Sequence, residues 1–359
     1  MSAASIAQED RLLAEGDRIP LICGAFADGA FFSTENFIGR TLVLVMGDPL
    51  GAAAQHAWAQ AMAGSRETLS GLDAEAVLLV SMTGAAMGAH LDPPTPGVVI
   101  AQPSSDLAAL AGSGPGPRLL ILNRAGRIVR IVEITDPEAA MGEACAASAA
   151  LQHPPGRIRD SVAPLLVVPN LIERRLCRAL MAAFEAGAHR EGGMASIDAE
   201  GHAVLKIEQA KKRRRDLELT SENPLHSEVV DVLSSRLVPE IARSFNVQVA
   251  HADRILLARY DDSGGYFHRH RDNAAPHVAF RQFAVSLNLN TDEYEGGELE
   301  FPEFDNDFYR PPVGAAAVFS ASLMHAARPV TSGRRYVLLT FLHDESAEIM
   351  RLRLLPGGN

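Results

Sequence analysis

Two hydrophobic patterns divide the chain. In its first part, short apolar runs, "TLVLVMGD" (41–48) and "AVLLVSM" (76–82), are bounded by turn residues, as buried strands are. Between them, "GAAAQHAWAQAMAGSRETLS" reads as an Ala-rich helix. "RLLILNRAGRIVRIVEI" (118–134) predicts two strands turning at "NRAG", and "PEAAMGEACAASAALQ" a closing helix. Strand, helix, strand, hairpin and helix give an α/β layer on a central sheet. The second part opens with a short strand in "APLLVVPN", an amphipathic helix over 170–186 and a second helix over 223–245. After that come "HADRILLARYD", "QFAVSLNLN", "GELEFPE", "AAAVFSASLMH" and "RRYVLLTFLH", separated by Gly, Pro and Asp/Asn turns. Many short strands with turns at regular spacing indicate a sandwich or jelly-roll barrel.

The change of pattern falls at "LQHPPGRIRDSVAP" (151–164), whose Pro and Gly residues mark a linker or domain edge. A chain of 359 residues is long for one hydrophobic core. The boundary is placed near residue 160, with residues 1–155 as one domain and 160–359 as the other.

Charge and composition exclude more than they assign. A net charge of −11 argues against a nucleic-acid surface, because phosphate binding rests on Lys and Arg. The local exception is "KKRRRD" (211–216), read first as a solvated loop or helix face and second as an anion contact. Cys23, Cys145 and Cys177 form no CxxC pair and are odd in number, so they are read as structural thiols in a reducing compartment. No apolar signal core and no run of about 18 apolar residues appears, so a cytoplasmic protein without a membrane span is expected.

The phrase "GDRIPLICGAFADGAFFSTENFIGRTLVLVMGDP" resembles the peroxiredoxin branch of the thioredoxin-like fold, over roughly residues 10–148. The resemblance implies a thioredoxin-like α/β domain. It also implies a peroxidatic cysteine after the "LVLVMGDP" strand, where a helix N-terminus would lower its pKa. The sequence there is "GDPLGAAAQHAW", with no cysteine. The domain is therefore expected to be a non-catalytic scaffold or recognition module.

Chemistry concentrates in "GGYFHRHRDN" (264–273), where His268, His270 and Asp272 stand at alternate positions. On an extended strand such residues share a face. Two histidines and one carboxylate on one side of a metal leave three positions open, the arrangement of non-heme Fe(II) oxygenases. Downstream, "SASLMHAARPVTSGRRYVLL" offers His325, with Arg335 ten residues beyond it. Spacing alone leaves His268 a candidate ligand beside His270.

In order, Tyr260, Gly264, Phe267, His270 and Asp272, then Leu289–Asn290, then "GGELEFPE" (296–303), then His325 and Arg335, resemble the prolyl 4-hydroxylase-like branch of the Fe(II)/2-oxoglutarate dioxygenases. The resemblance covers about residues 164–345 and implies a double-stranded β-helix (jelly-roll) with flanking helices. It implies His270, Asp272 and His325 as iron ligands, with His268 supporting a ligand from behind or forming part of the pocket wall. It also implies Arg335 as the clamp on the far carboxylate of 2-oxoglutarate, because the family's basic residue directly precedes the aromatic, here Tyr336. Arg334, its neighbour, then faces the other way. Tyr260 is expected either to donate a hydrogen bond to the co-substrate or to serve as a core tyrosine, and Asn288 stands where members often carry a tyrosine for the same carboxylate. His277 is an unassigned loop histidine, and Gly296–Gly297 are read as a structural turn.

The function implied is hydroxylation with Fe(II), 2-oxoglutarate and dioxygen, releasing succinate and carbon dioxide, with ascorbate as reductant. A prolyl or other residue of a peptide or protein is one substrate class. The thiol-free domain would recruit such a protein or form a homodimer. The alternatives are a thiol peroxidase or redox partner using Cys23 or Cys145, and a non-catalytic metal-binding module.

Overall fold

The computed structural model describes residues 13–26, 30–47, 52–81, 98–101, 117–132, 134, 136–151, 158, 161–197 and 203–354. The chain divides into two compact units, Met1–Gly156 and Arg157–Asn359. Most of the predicted linker, residues 152–157 and 159–160, and the "DPLG" stretch at 48–51 lie outside the described residues.

The N-terminal unit is built on a seven-stranded sheet. Its order is Phe31–Ser33, Cys23–Phe26, Val98–Ala101, Ala74–Ser81, Thr41–Gly47, Arg118–Leu122, Ile128–Val132. Thr41–Gly47 runs parallel to Ala74–Ser81, and that strand parallel to Val98–Ala101. The last two strands return antiparallel. Alternation along Thr41–Gly47 explains the layers. Leu42, Leu44 and Met46 pack with Phe32 and Phe37 on one face, while Val43 and Val45 meet Trp58, Met62 and Met141 on the other. Trp58 and Met62 belong to helix Ala52–Gly71, and Met141 to helix Pro137–Ala150. The latter starts where Asp136 accepts a hydrogen bond from the Ala139 amide at 2.9 Å, with Pro137 in the first turn. This is a thioredoxin-like arrangement.

The C-terminal unit is sheet-rich. Its larger sheet runs Leu165–Val168, Ala316–Ser320, Phe283–Asn288, Val330–His343, His251–Asp261, Arg215–Glu218, Arg190–Glu191, and Tyr294–Gly296 pairs the start of Val330–His343. The smaller sheet runs Lys212–Arg213, Tyr266–His270, His325–Ala327, Leu299–Glu300, Phe308–Tyr309. A separate hairpin joins Met194–Ile197 to Ala203–Lys206. One face of the larger sheet is covered by helices. Phe283, Val285, Leu287, Leu338 and Leu342 pack there against Leu176, Leu180 and Phe184 of helix Arg174–Ala186 and Leu237 and Ile241 of the next helical run. Residues one position out of phase, Ala258, Tyr260, Ala284 and Val337, face the smaller sheet with Leu299, Phe301 and Ala327. Phe283–Asn288 is buried along its whole length because both faces are covered.

The helix expected over 223–245 is one helical run with a π turn in it. Leu225–Val232 leads into the turn Leu233–Leu237, then Val238–Phe245. Pro239 near the start of the last segment removes an amide donor, and the wider turn accommodates that loss. Among the described residues no helix is long and apolar enough to cross a membrane.

Candidate metal centre

Two short strands of the smaller sheet bring the distant histidines together. His270, at the end of Tyr266–His270, lies directly across from His325, at the start of His325–Ala327. The register slips by one residue between Phe267 and His270, and this bulge changes the outcome of the sequence pattern. Strict alternation puts His268 on the face of His270. With the extra residue, Phe267 and His270 both face the interior, their rings stacked at 3.4 Å between centroids. His268 is turned out, exposed, against Tyr266. The shared-face expectation and the pocket-wall placement of the His268 side chain are thus corrected. Its contribution here is its backbone carbonyl, which faces His270 Nδ1 at 2.7 Å.

Asp272 sits just beyond the strand, where its amide donates to the Ala321 carbonyl at 2.9 Å. One carboxylate oxygen lies 3.4 Å from His270 Nε2 and the other 3.4 Å from His325 Nε2. The three candidate ligand atoms all lie within 4.8 Å of one another. Adjacent ligands about 2.1 Å from a metal stand about 3 Å apart, so the set matches an ion's first shell. His325 Nδ1 faces the Leu323 carbonyl at 3.0 Å, and His270 Nδ1 faces that of His268. A carbonyl only accepts, which assigns the proton to each Nδ1 and leaves each Nε2 lone pair aimed at Asp272. Burial pushes the His325 imidazole down to about 4, so it is neutral near pH 7, as a ligand must be. Burial also raises the Asp272 carboxyl, but His325 and His270 beside it outweigh that and hold it well below the usual range.

The centre opens into a cavity of about 350 Å³ between the two sheets. Arg335 and Tyr260 line it, side by side on paired strands. Arg335 is only 2% exposed. Its Nη2 donates to Ser286 Oγ at 3.3 Å and to Asn288 Oδ1 at 3.2 Å, while its buried Nε has no partner. Arg334, out of phase by one, is exposed and reaches Asp261 at 3.6 Å. Gly297, at φ 69°, leaves the room Arg335 needs, since a Cβ there would stand 2.9 Å from Arg335 Cδ. Tyr260 Oη accepts from Arg214 Nη1 at 3.1 Å, which frees its own proton for the cavity. Asn288 is placed differently from the expectation. It lies behind Arg335, its amide nitrogen donating to the Pro311 carbonyl at 2.8 Å, and Ser286 is the residue of that strand face that meets the cavity.

Sequence reasoning missed several residues here. Glu303 holds both halves of the centre. Its carboxylate accepts from Arg271 at 2.6 Å, between His270 and Asp272, and from the Met324 amide at 2.9 Å, next to His325. Arg281 donates to the Asp272 carbonyl at 3.3 Å while its Nε is held by Asp253 at 2.9 Å. The basic run was read as a solvated face, and the structure corrects that. Lys212, Arg214 and Asp216 alternate inward along two short strands and the residue between them, with side chains 3%, 7% and 12% exposed. The signal was the spacing itself, Lys-x-Arg-x-Asp with period two.

Residues 255–343, which hold all three candidate ligands and Arg335, match the 2OG-Fe(II) oxygenase superfamily. The C-terminal unit carries a 2OG-Fe(II) oxygenase domain. A PKHD-type hydroxylase of Paracoccus denitrificans is 26% identical over 174 residues, 42% of this chain and 76% of that protein. Among solved structures, a prolyl hydroxylase of Trichoplax adhaerens in complex with a hypoxia inducible factor peptide fragment is similar at 17% identity and a TM-score of 0.40. That likeness covers 52% of this chain and 86% of that one. A structure described as a thiol:disulfide interchange protein DsbE from Chlorobium tepidum is similar at 17% identity and a TM-score of 0.32, over 38% and 99% of the two chains. In the N-terminal unit Cys23 is exposed on a strand and Cys145 half-buried in a helix, and all three cysteines of the chain are free.

Proposed function

We propose that the oxygenase domain hydroxylates an organic substrate in a reaction dependent on Fe(II) and 2-oxoglutarate. The overall change is substrate C–H plus dioxygen plus 2-oxoglutarate to substrate C–OH, succinate and carbon dioxide. The observation that carries this reading is the His270–Asp272–His325 cluster, with both imidazole Nε2 atoms aimed at one carboxylate, at the floor of a cavity that also contains a buried, half-partnered guanidinium. His270, Asp272 and His325 would hold the metal. Bound there, a ferrous ion supplies dioxygen activation, with 2-oxoglutarate as the reductant.

The chain's own residues do the rest. Arg335 offers its free Nε–H and a guanidinium edge to a carboxylate, and Ser286 and Asn288 fix the direction of that edge. Tyr260 can donate a second hydrogen bond beside it. Phe319 and Phe301 wall His325, at 4.7 and 6.1 Å between centroids, and keep water from its ring. A prolyl or other peptide residue as substrate, ascorbate to keep the iron ferrous outside the balanced reaction, a cytoplasmic setting and a non-catalytic N-terminal unit that recruits a protein or dimerises complete the proposal.

The test is anaerobic. Fe(II) and then 2-oxoglutarate are added to the full chain, the weak visible charge-transfer band is recorded, and oxygen is admitted while succinate is measured. The band and succinate are expected. Folded protein that binds Fe(II) yet gives no band with 2-oxoglutarate would refute the reading.

A further inference from the structure

Besides Arg335, the cavity is lined by a second group of cations, a wall that the reading above gives no direct contact with the metal or 2-oxoglutarate. Lys212 and Arg214 reach it from one short stretch of chain and Arg254 from the strand His251–Asp261. Phe267 connects wall and centre. Lys212 Nζ lies 5.1 Å and the Arg214 guanidinium 5.7 Å from the centroid of its ring, and that ring stacks on His270.

The wall is built, and it is under-neutralised. Arg214 is locked, Nε and Nη2 on the two oxygens of Asp216 at 2.6 and 3.1 Å and Nη1 on Tyr260. Lys212 gives one proton to the Gly193 carbonyl at 2.7 Å and shares Asp216 at 3.5 Å, which leaves a third proton to offer. Arg254 Nε is buried with no partner, and no ion pair reaches this guanidinium among the described residues. Glu191 and Glu218 border its outer side beyond ion-pair distance. Counting Arg281, the ion pairs tie three of the four cations to Asp216 and Asp253 and leave Arg254 without one. Burial, then Arg214, pulls the Lys212 ammonium down to about 7, so the wall is held at a cost to the folded state. Perturbed, incompletely paired charges lining a cleft cluster at functional sites, where a ligand can compensate them.

We propose that the Lys212–Arg214–Arg254 wall is the substrate-anchoring subsite of this oxygenase and takes a carboxylate group of the molecule to be hydroxylated. The inference rests on the reading of the centre as a 2-oxoglutarate-dependent oxygenase. Arg335 and the wall then divide the work, one carboxylate for each. A substrate carboxylate seated on Arg254 and Lys212 directs the rest of the molecule across Phe267 toward the metal ligands. Arg214 acts through Asp216 and Tyr260 as a positioning residue.

The test uses the full chain loaded anaerobically with saturating 2-oxoglutarate and either Fe(II), to record the visible band, or Mn(II), for calorimetric titration. Pentanoate and benzoate are titrated against their neutral amides, with inorganic phosphate as a further arm. Each carboxylate is expected to bind saturably, about tenfold or more tighter than its amide, with the band retained. In Arg254→Gln and in Lys212→Met that preference falls to within about threefold, while 2-oxoglutarate affinity stays within about twofold. Amides that bind as well as carboxylates in the unsubstituted protein, or no saturable carboxylate binding, would overturn the inference without needing any variant to fold. So would phosphate binding in preference to every carboxylate, or an Arg254→Gln variant that loses 2-oxoglutarate instead. A missing band with Fe(II) and 2-oxoglutarate sinks the parent reading, and this one with it. A normal band without carboxylate preference sinks only this one.

Discussion

Replacing Arg335 separates a ligand clamp from a structural cation. Under the proposed reading, Arg335→Gln should deprive the far carboxylate of 2-oxoglutarate of a charge-assisted partner inside a cavity where Arg335 is 2% exposed. Truncating one member of such a buried pair costs about 2–5 kcal/mol, so affinity should fall by roughly thirtyfold or more. The metal-loaded protein without 2-oxoglutarate should barely change. The substitution deletes two hydrogen bonds, to Ser286 and Asn288, but also a buried charge with no carboxylate within ion-pair distance among the described residues. These effects oppose each other within about 1 kcal/mol. The assay is a thermal melt of Mn(II)-loaded protein with and without 2-oxoglutarate at a hundred times the unsubstituted protein's Kd. Saturation at that level stabilises by about 2.7 kcal/mol. For a unit of about 200 residues this corresponds to roughly 5–11 °C. A hundredfold weaker variant retains about 0.4 kcal/mol, a shift of about 1–2 °C. An undiminished shift in Arg335→Gln would refute the clamp, and the same loss in Arg334→Gln instead would move it to the neighbouring residue.

Four further outcomes are expected. His270→Ala and His325→Ala should each abolish the Fe(II)–2-oxoglutarate band, whereas His268→Ala should leave it within about twofold, because only the His268 carbonyl serves the centre; a band lost in His268→Ala would return that residue to the ligand list. Glu303→Gln should weaken metal binding by about tenfold with little change in melting temperature, since this exposed carboxylate orients Arg271 and Met324 rather than packing a core, as a metal titration would show. Lys212→Met should flatten the pH dependence of stability between about pH 7 and pH 10.5. There the folded protein holds fewer protons on this amine, beside Arg214, Asp216 and Arg254, than the unfolded chain, so unsubstituted stability rises with pH. An unchanged profile in melts across that range would show that the buried ammonium costs the fold nothing. At the C-terminus, hydrogen bonds from Gln282, Ala347 and Ser346 hold Asp344 at about 2, and Arg351 and His343 hold Glu348 at about 2. Both lie below their ordinary values, so their support for helix Glu345–Leu354 is present at neutral pH and lost as pH falls from about 4.5 through about 2; hydrogen exchange across that window should show this helix opening first.

How much was legible follows from how local each signal is. The strands and helix at 41–81, the hairpin at 118–132 and the closing helix carry their own periodicity, and a sequence window contains it. Cys23–Phe26 and Phe31–Ser33 are too short for an apolar alternation to be read, and Val98–Ala101 takes its place from its neighbour in the sheet. In the oxygenase domain, family order brought Asp272, His270, His325 and Arg335 to attention. The feature that makes the first three a cluster is invisible in the string, because a bulge is a mismatch between two strands and not a property of either.

The basic run shows the same limit with a consequence for function. Charge density reads as solvation only when the element is unknown. In extended backbone of period two, running from one short strand into the next, the same six residues divide into an exposed set with Lys211 and Arg213 and a buried set with Lys212, Arg214 and Asp216. The register Lys212↔Phe267 then decides what the buried set faces, since Phe267 is the ring stacked on His270. A bulge on one strand and an alternating cation pattern on its neighbour therefore work together. The bulge turns Phe267 inward beside the candidate metal ligands, and the pattern places two cations near its ring. Moving either by one residue would separate the charge from the centre. An insertion of one residue between Lys212 and Arg214 should accordingly abolish carboxylate preference while sparing the Fe(II)–2-oxoglutarate band, and loss of both together would mean that this strand supports the centre itself.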